Sequence, residues 1–168
     1  QCIYHGLLLS GEKTKTHVMD GLSPYQVVGL KHAVERKEGA GSYYNLEEVA
    51  WIEKWMQEHA EIDPTLITII TPYVMQYHKL VERLLIYKGI TISTVDSYQG
   101  KENDVVLLSM VRADGHFGFV NDLQRLNVAL TRARKVQIIL CHEQTSLESS
   151  VMLPLLEDAK RRNCYVSV

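Results

Sequence analysis

The chain has 168 residues, a formal net charge of -2 and a hydrophobic fraction of 46%. This length suits one compact domain, and the apolar content can supply a core without help from metal or disulfides. The near balance of charge argues against a protein that binds nucleic acid by electrostatics alone, although a local basic groove remains compatible with it.

The first part of the chain predicts little regular structure. Residues 1–29 are predicted to be irregular, with turns at residues 4–6 and 10–11. Alternation of apolar and polar residues over 27–35 predicts a weak strand. The Gly-rich segment 38–42 is predicted to be a loop. It lacks the Lys-Ser/Thr ending of a phosphate-binding loop, so we do not interpret it as one.

From residue 45 onward the patterns of strands and helices alternate. Asn45 is a predicted helix cap, and Glu48 stands three residues later, as in a capping box. Dense apolar runs suit strands that are buried on both faces of a parallel sheet. The predicted strands cover residues 66–70, 90–95, 105–110, 136–141 and 165–168. Further helices are predicted at 74–87, with Leu84 and Leu85 inward, at 123–134 and at 152–162. This alternation predicts a three-layer α/β domain with a mainly parallel sheet.

The spacing of the cysteines and histidines and the first residue of the chain predict what kind of protein this is. Cys2, Cys141 and Cys164 form no C-x-x-C pair and are interpreted as reduced thiols of an intracellular protein. The seven histidines show no zinc-ligand spacing, so no metal site is predicted. No membrane span or signal peptide is recognised. Because the chain begins with Gln1 rather than Met, we expect it to be a piece of a larger protein.

Polar loops between the predicted strands are the candidate sites, because ligands of open α/β sheets bind at the carboxyl ends of the strands. Residues 94–104 resemble motif V of superfamily 1 helicases, and residues 126–134 resemble motif VI. Residues 69–76 are similar to the segment that precedes motif V. In order and spacing they resemble superfamily 1B helicases of the nonsense-mediated-decay and senataxin-like group. The resemblance implies that residues 1–168 are the second RecA-like lobe, a P-loop NTPase-type AAA domain.

The resemblance also implies roles for individual residues in ATP binding and hydrolysis. Arg132 matches the motif VI arginine finger, a planar cation that stabilises charge on the γ-phosphate. Glu102 would lie near the ribose and triphosphate, and Gly100 would allow close approach of the backbone. Gln99 and Arg134 complete the implied ATP-binding set. The alternatives are a surface role for Arg132 and an exposed loop carboxylate for Glu102. For Arg134 they are an acidic partner or support of the helix.

A second implied set would hold the sugar and phosphate of a single strand without reading its sequence. For Tyr73, core packing is the alternative. The residues of this set are Thr71, Pro72, Tyr73, Gln76, Thr94 and Asp96.

What the chain lacks limits the expected mechanism. It contains no Gly-x-x-x-x-Gly-Lys-Ser/Thr and no Asp-Glu pair for Mg²⁺, which the family carries in its first lobe. The family's Gln-Tyr-Arg-Met-His-Pro segment is also absent. We expect this chain alone to bind ATP weakly and not to hydrolyse it. The first lobe of the parent protein would make most of the contacts with ATP and Mg²⁺.

The intact protein is expected to be an ATP-dependent helicase that moves 5′ to 3′ on single-stranded nucleic acid, with RNA favoured over DNA. It would act in the cytoplasm or the nucleus, in a process such as nonsense-mediated decay. One alternative is a non-catalytic RecA-like module, kept for nucleic-acid or protein binding in a degenerate helicase. Another is an unrelated α/β nucleotide-binding domain, which the missing phosphate loop disfavours. The presence of Gln99, Glu102 and Arg132 favours the motor.

Overall fold

The computed structural model describes residues 19, 21–38, 42–115, 118 and 123–168. Strands and helices alternate through most of this part of the chain, as the sequence predicts. The strands are β1 (Tyr25–Leu30), β2 (Glu35–Glu38), β3 (Ser42–Asn45), β4 (Ile67–Thr71), β5 (Thr91–Thr94), β6 (Asn103–Ser109), β7 (Ala133–His142) and β8 (Tyr165–Ser167). The helices are α1 (Leu46–Glu58), α2 (Val74–Arg83), α3 (Leu123–Leu130), α4 (Glu143–Glu148) and α5 (Met152–Arg161).

The core of the fold is a six-stranded sheet in the order β5-β4-β6-β7-β1-β8. Every neighbouring pair of its strands is parallel. The central strands β4 and β6 are buried along their whole length, which explains their nearly continuous apolar sequence. The predicted α/β fold with a parallel sheet is confirmed.

Helices cover both faces of the sheet, and successive residues of each strand point to opposite faces. Ile69 and Leu107 belong to the core cluster formed with α1 and α2. Their neighbours Ile70 and Leu108 belong to the cluster formed with α3 and α5. This alternation produces the three layers that the sequence predicts.

The start of α1 follows the predicted cap only in part. The Glu48 backbone N–H donates to Asn45 Oδ1 at 3.1 Å, as a cap requires. The Glu48 side chain does not return to the Asn45 N–H, which donates instead to Gln76 Oε1 at 2.8 Å. The capping-box interpretation of Glu48 is therefore wrong, because its carboxyl group is drawn into the buried end of β6.

Several predicted boundaries differ from the structure. The strand predicted at residues 27–35 is β1, which begins two residues earlier and ends at Leu30. Helix α2 ends at Arg83, so Leu85 is 71% exposed rather than inward. Helix α3 ends at Leu130 because residues 133 and 134 already belong to β7. The predicted turns at residues 4–6 and 10–11 lie outside the described residues.

The two strands β2 and β3 and the helix α4 were not predicted. The antiparallel β2–β3 hairpin includes Glu38 and Ser42, the two ends of the predicted Gly-rich loop. Its strands are short and polar, so they carry no apolar alternation that would mark them. The short helix α4 is capped by the ring of His142, which accepts from the Thr145 N–H.

Candidate nucleotide and nucleic-acid interface

The predicted site residues lie at two opposite edges of the parallel sheet. Thr71 ends β4 and pairs with Thr94, which ends β5, so their loops share the carboxyl edge. Glu102 precedes β6 and Arg132 precedes β7, where Asn103 pairs with Ala133 at the amino edge. The expectation that all candidate loops lie at the carboxyl edge is therefore wrong for Glu102 and Arg132.

The loops after β4 and β5 are joined at the carboxyl edge. The Val95 N–H donates to the Thr71 carbonyl oxygen at 3.1 Å, which ties the two strand ends together. Thr71 Oγ1 is buried and accepts from the Tyr73 N–H at 3.4 Å. Thr94 Oγ1 accepts from the Ser97 N–H at 3.4 Å and so stabilises the short turn that follows. Pro72 and Tyr73 are half-buried, so these two present the partly accessible side chains of the first loop.

Gln76 has a different environment from the rest of the predicted strand-contacting set. Its side chain is fully buried. Gln76 Nε2 donates to Ser109 Oγ at 2.8 Å and to the Asn45 carbonyl oxygen at 3.2 Å. Because both ends of its amide are engaged inside the protein, Gln76 fixes α2 against β3 and β6 and offers no group to a strand in this conformation.

The segment after β5 runs from the carboxyl edge to the amino edge without a long helix. Tyr98 is buried, and its hydroxyl lies 3.1 Å from Thr68 Oγ1 in β4, so its ring belongs to the core. Gln99 and Gly100 are exposed. Gly100 has φ of 79°, a backbone conformation that favours glycine. The buried Tyr98 ring therefore anchors this segment, and residues 99–102, which follow it, form an exposed strip on the surface.

A small open depression lies beside this segment. It has a volume of about 190 Å³. Its lining includes Asp96 of the predicted strand-contacting set and Gln99 of the predicted ATP-binding set, so one residue of each set lines it. The lining residues are Val95, Asp96, Gln99, Arg125 and Val128.

Arg132 is half-buried at the amino edge, directly after α3. Its Nε donates to the Val128 carbonyl oxygen at 2.7 Å and its Nη2 to Thr131 Oγ1 at 2.9 Å. Its Nη1 donates to the Lys101 carbonyl oxygen at 3.3 Å. These acceptors are neutral, so within the described part of the chain the positive charge has no carboxylate counterion at hydrogen-bond distance. The Asn103 N–H donates to the Arg132 carbonyl oxygen at 3.1 Å, which places Arg132 beside Glu102.

Comparison with known proteins identifies the family. Residues 1–144 match a family described as an AAA domain. Helicase SEN1 of Saccharomyces cerevisiae is 33% identical over 96% of this chain and 8% of its own length. Regulator of nonsense transcripts 1 homolog of Arabidopsis thaliana is 38% identical over 74% of this chain and 11% of its own length. The chain belongs to the superfamily 1B helicases of the nonsense-mediated-decay and senataxin-like group.

This helicase domain corresponds to a small part of its relatives. An uncharacterized ATP-dependent helicase of Methanocaldococcus jannaschii is 34% identical over 82% of the chain, which spans 20% of that relative. This relative and the Saccharomyces cerevisiae protein are named as helicases, a class of enzymes that hydrolyse ATP.

Arg134 has the acidic partner that the sequence leaves open as an alternative. Its Nε donates to Asp104 Oδ1 at 2.8 Å. Lys135 Nζ lies 2.7 Å from Asp104 Oδ2. The Lys135 ammonium and the Arg134 guanidinium hold the pKa of Asp104 below its usual range. Arg134 would have to leave this pair before it could reach a nucleotide.

Sequence reasoning missed a buried polar cluster at the carboxyl end of β6 in this helicase domain. Glu48 is fully buried, and its Oε1 accepts from the Val111 N–H at 2.9 Å while its Oε2 bonds the Ser109 hydroxyl. Burial raises the pKa of Glu48 to about 8, against the opposing effect of these hydrogen bonds. The available signal was a Glu on the apolar face of α1, four residues before Ile52 and seven before Trp55.

The described residues meet neither the requirements of a metal site nor those of a membrane-spanning helix. Among the residues that the structure describes, no group of three or more His, Cys, Asp or Glu side chains could hold a metal ion. Along the same residues, no helix combines the length and apolar character needed to cross a bilayer.

Proposed function

We propose that this chain is the second motor lobe of an ATP-dependent helicase and that Arg132 is its arginine finger. The observation that carries the proposal is the guanidinium of Arg132, which is held at the sheet edge by neutral oxygens alone among the described contacts. A cation without a local counterion is available for the charge that develops on a γ-phosphate, because it does not first have to leave a carboxylate.

The nucleotide contacts of the proposal lie beside Arg132. The exposed strip of Gln99, Gly100 and Glu102 is joined to Arg132 through the Lys101 and Asn103 backbone. Glu102 would accept hydrogen bonds from ribose hydroxyls, and Gly100 would let the backbone approach the nucleotide. Arg134 has a secondary role, since Asp104 binds it. ATP and Mg²⁺ would be held mainly by the first lobe of the same parent protein.

The strand contacts of the proposal lie at the carboxyl edge. Pro72, Tyr73 and Thr94 are partly accessible, and Asp96 is exposed. Thr71 and Gln76 are buried, so in the proposal they set the shape of these loops, with the Thr71 backbone as the remaining contact. Such loops would grip sugar and phosphate. The nucleotide and the strand would then act on opposite edges of one rigid sheet.

The substrate and cellular setting are part of the same proposal. We favour single-stranded RNA over DNA, because one of the relatives is named as a regulator of nonsense transcripts. The protein would then act in the cytoplasm or the nucleus, in RNA surveillance.

The test is strand-stimulated ATP hydrolysis by the proposed full-length motor. Arg132→Ala should lower kcat by about a thousandfold, as expected for loss of a finger. Arg132→Lys keeps the charge but not the planar fork, so it should recover only part of the rate. Arg83→Ala is the matched control, because Arg83 is an exposed arginine of α2 that pairs with Glu53 of α1. Unchanged turnover in Arg132→Ala would contradict the finger assignment.

Two further outcomes separate the alternatives. Strand binding without any ATP hydrolysis by the wild-type motor would support the non-catalytic binding module. The 168-residue chain alone should show no hydrolysis above background. Measurable turnover by the chain alone would overturn the proposal that it carries only part of the ATPase site.

A further inference from the structure

The chain forms a strained turn directly after β6. Val111 has φ of 74° and is fully buried. The Arg112 N–H donates to the Met110 carbonyl oxygen at 2.9 Å, which closes a three-residue γ-turn around Val111. A γ-turn with positive φ is rare, and a β-branched residue seldom adopts it. Such a conformation persists only where its surroundings enforce it, and residues of this kind cluster at functional sites.

Buried side chains from outside the turn enforce it. Glu48 Oε1 accepts from the Val111 N–H at 2.9 Å. Asn45 Nδ2 donates to the Val111 carbonyl oxygen at 3.0 Å. Both side chains are fully buried at the start of α1, and Glu48 also bonds Ser109 at the end of β6. The polar groups of Val111 are therefore satisfied only while the turn keeps its shape.

The turn directs Arg112 towards the loop that follows β4. Its guanidinium lies 4.1 Å from the centre of the Tyr43 ring. The Tyr43 ring in turn meets the Tyr73 ring edge to face, with 5.8 Å between their centres. Against the lowering effect of burial, the Glu35 carboxylate and the Tyr73 side chain raise the pKa of Arg112. Stacking on an aromatic face uses the planar guanidinium, a property that lysine does not share.

Acidic groups already balance the charge of Arg112. Its Nε donates to Glu35 Oε2 at 2.9 Å and its Nη2 to Asp114 Oδ1 at 2.8 Å. Glu35 Oε2 also accepts from the Ala113 N–H at 2.7 Å, so it fixes the backbone beyond the turn. Arg112 is 6% exposed. A buried, doubly paired guanidinium is suited to holding neighbouring side chains and not to binding a phosphate itself.

We propose that Arg112 is a positioning residue for strand binding. The strained turn at Val111 aims its guanidinium at the Tyr43 ring, which contacts the Tyr73 ring, and these contacts fix the orientation of Tyr73 and of the loop after β4. The inference rests on the proposed function, because it assigns Tyr73 to the strand-binding loop. It adds a residue that neither the family resemblance nor the candidate motifs assign.

The test compares Arg112→Lys with the wild type in strand-stimulated ATP hydrolysis by the full-length motor. The strand concentration for half-maximal stimulation should rise about tenfold, equivalent to loss of one well-placed contact. The kcat at saturating strand and the KM for ATP should stay within about twofold, because the loop still forms when strand is abundant. We call the strand concentration for half-maximal stimulation the strand KM. A merely structural role would lower the amount of active protein, and so the apparent kcat, without raising the strand KM.

Arg83→Lys is the matched control, since it makes the same chemical change at an exposed ion pair on α2. Its strand KM should equal that of the wild type. An unchanged strand KM in Arg112→Lys would overturn the positioning role. Absence of strand-stimulated hydrolysis in the wild type would instead count against the proposed function.

A second variant tests the positioning role of Arg112 if Arg112→Lys fails to fold, as judged by its thermal midpoint. Glu35→Gln removes the charge that holds Arg112 but keeps an oxygen for the Ala113 N–H. The strand KM of Glu35→Gln should rise about threefold, because Arg112 keeps its other partners. A strand KM equal to that of the wild type would overturn the inference.

Discussion

The Asp96 carboxylate and the Arg125 guanidinium form a two-bond ion pair that joins the loop after β5 to helix α3. Arg125 Nε donates to Asp96 Oδ1 at 2.9 Å, and Nη2 donates to Oδ2 at 2.6 Å. The same helix carries Val128, whose carbonyl oxygen accepts from Arg132. A proposed strand contact and the proposed arginine finger are thus attached to the same helix, the first through Arg125 near its start and the second through Val128 near its end.

This ion pair should contribute little to stability. The side chains of Arg125 and Asp96 are 38% and 66% exposed, so water and salt screen their attraction. A double-mutant cycle with Asp96→Ala and Arg125→Ala should give a coupling free energy of unfolding of about 0.5–1 kcal/mol. Urea unfolding of the four proteins at low and high salt measures it. A coupling that does not fall at high salt would contradict a screened pair.

The buried Glu48 should make stability depend on pH. Its folded pKa of about 8 lies above the value of 4.5 of an unfolded chain, so the folded protein retains the proton between them. Its stabilising contribution is complete below the unfolded pKa and is lost as pH rises through about 8. Between these values the free energy of unfolding should fall by up to about 1.4 kcal/mol per pH unit.

Glu48→Gln keeps a neutral group that can donate to Ser109 and accept from Val111, so this pH dependence should largely disappear. Glu47→Gln is the matched control. A hydrogen bond from Arg36 holds the pKa of Glu47 at about 2, so Glu47 stays ionised over the tested range in the folded protein. Urea unfolding from about pH 5 to about pH 8 compares the slopes. Equal slopes for Glu48→Gln and the wild type would show that Glu48 is already ionised.

Gly29 should not tolerate a side chain. A Cβ atom at this position of β1 would overlap the Tyr165 hydroxyl and lie 2.8 Å from Tyr165 Cζ. Gly29→Ala should therefore lower the free energy of unfolding by about 1–3 kcal/mol, as overpacking does in other cores.

The Gly29→Ala/Tyr165→Ala double variant tests the cause. It should cost less than the sum of its single changes, because removal of the ring creates the missing space. Urea unfolding of the three variants and the wild type gives the comparison. Additive costs would show that the Tyr165 ring is not what excludes a side chain at Gly29.

The regular part of the fold was predictable because burial leaves a local signature. The apolar run at residues 66–70 predicted β4, which spans Ile67–Thr71. Asn45 predicted the start of α1, where its side chain caps the Glu48 N–H. The β2–β3 hairpin was missed because its polar strands are stabilised by contacts with α2 and with Arg112, which lie far away in sequence.

The sequence by itself determined the parallel α/β fold and the helicase family, because both are written in local patterns and motif spacing. It did not determine which edge of the sheet each motif occupies. Only the tertiary structure decided that Glu102 and Arg132 lie at the edge opposite Thr71 and Thr94. The physical reason is the path of the chain between β5 and β6, which are both parallel to β4, so this segment returns from the carboxyl edge to the amino edge. The buried Tyr98 holds the segment against β4. The tertiary structure likewise placed Glu48 against Val111, a contact between residues 63 positions apart.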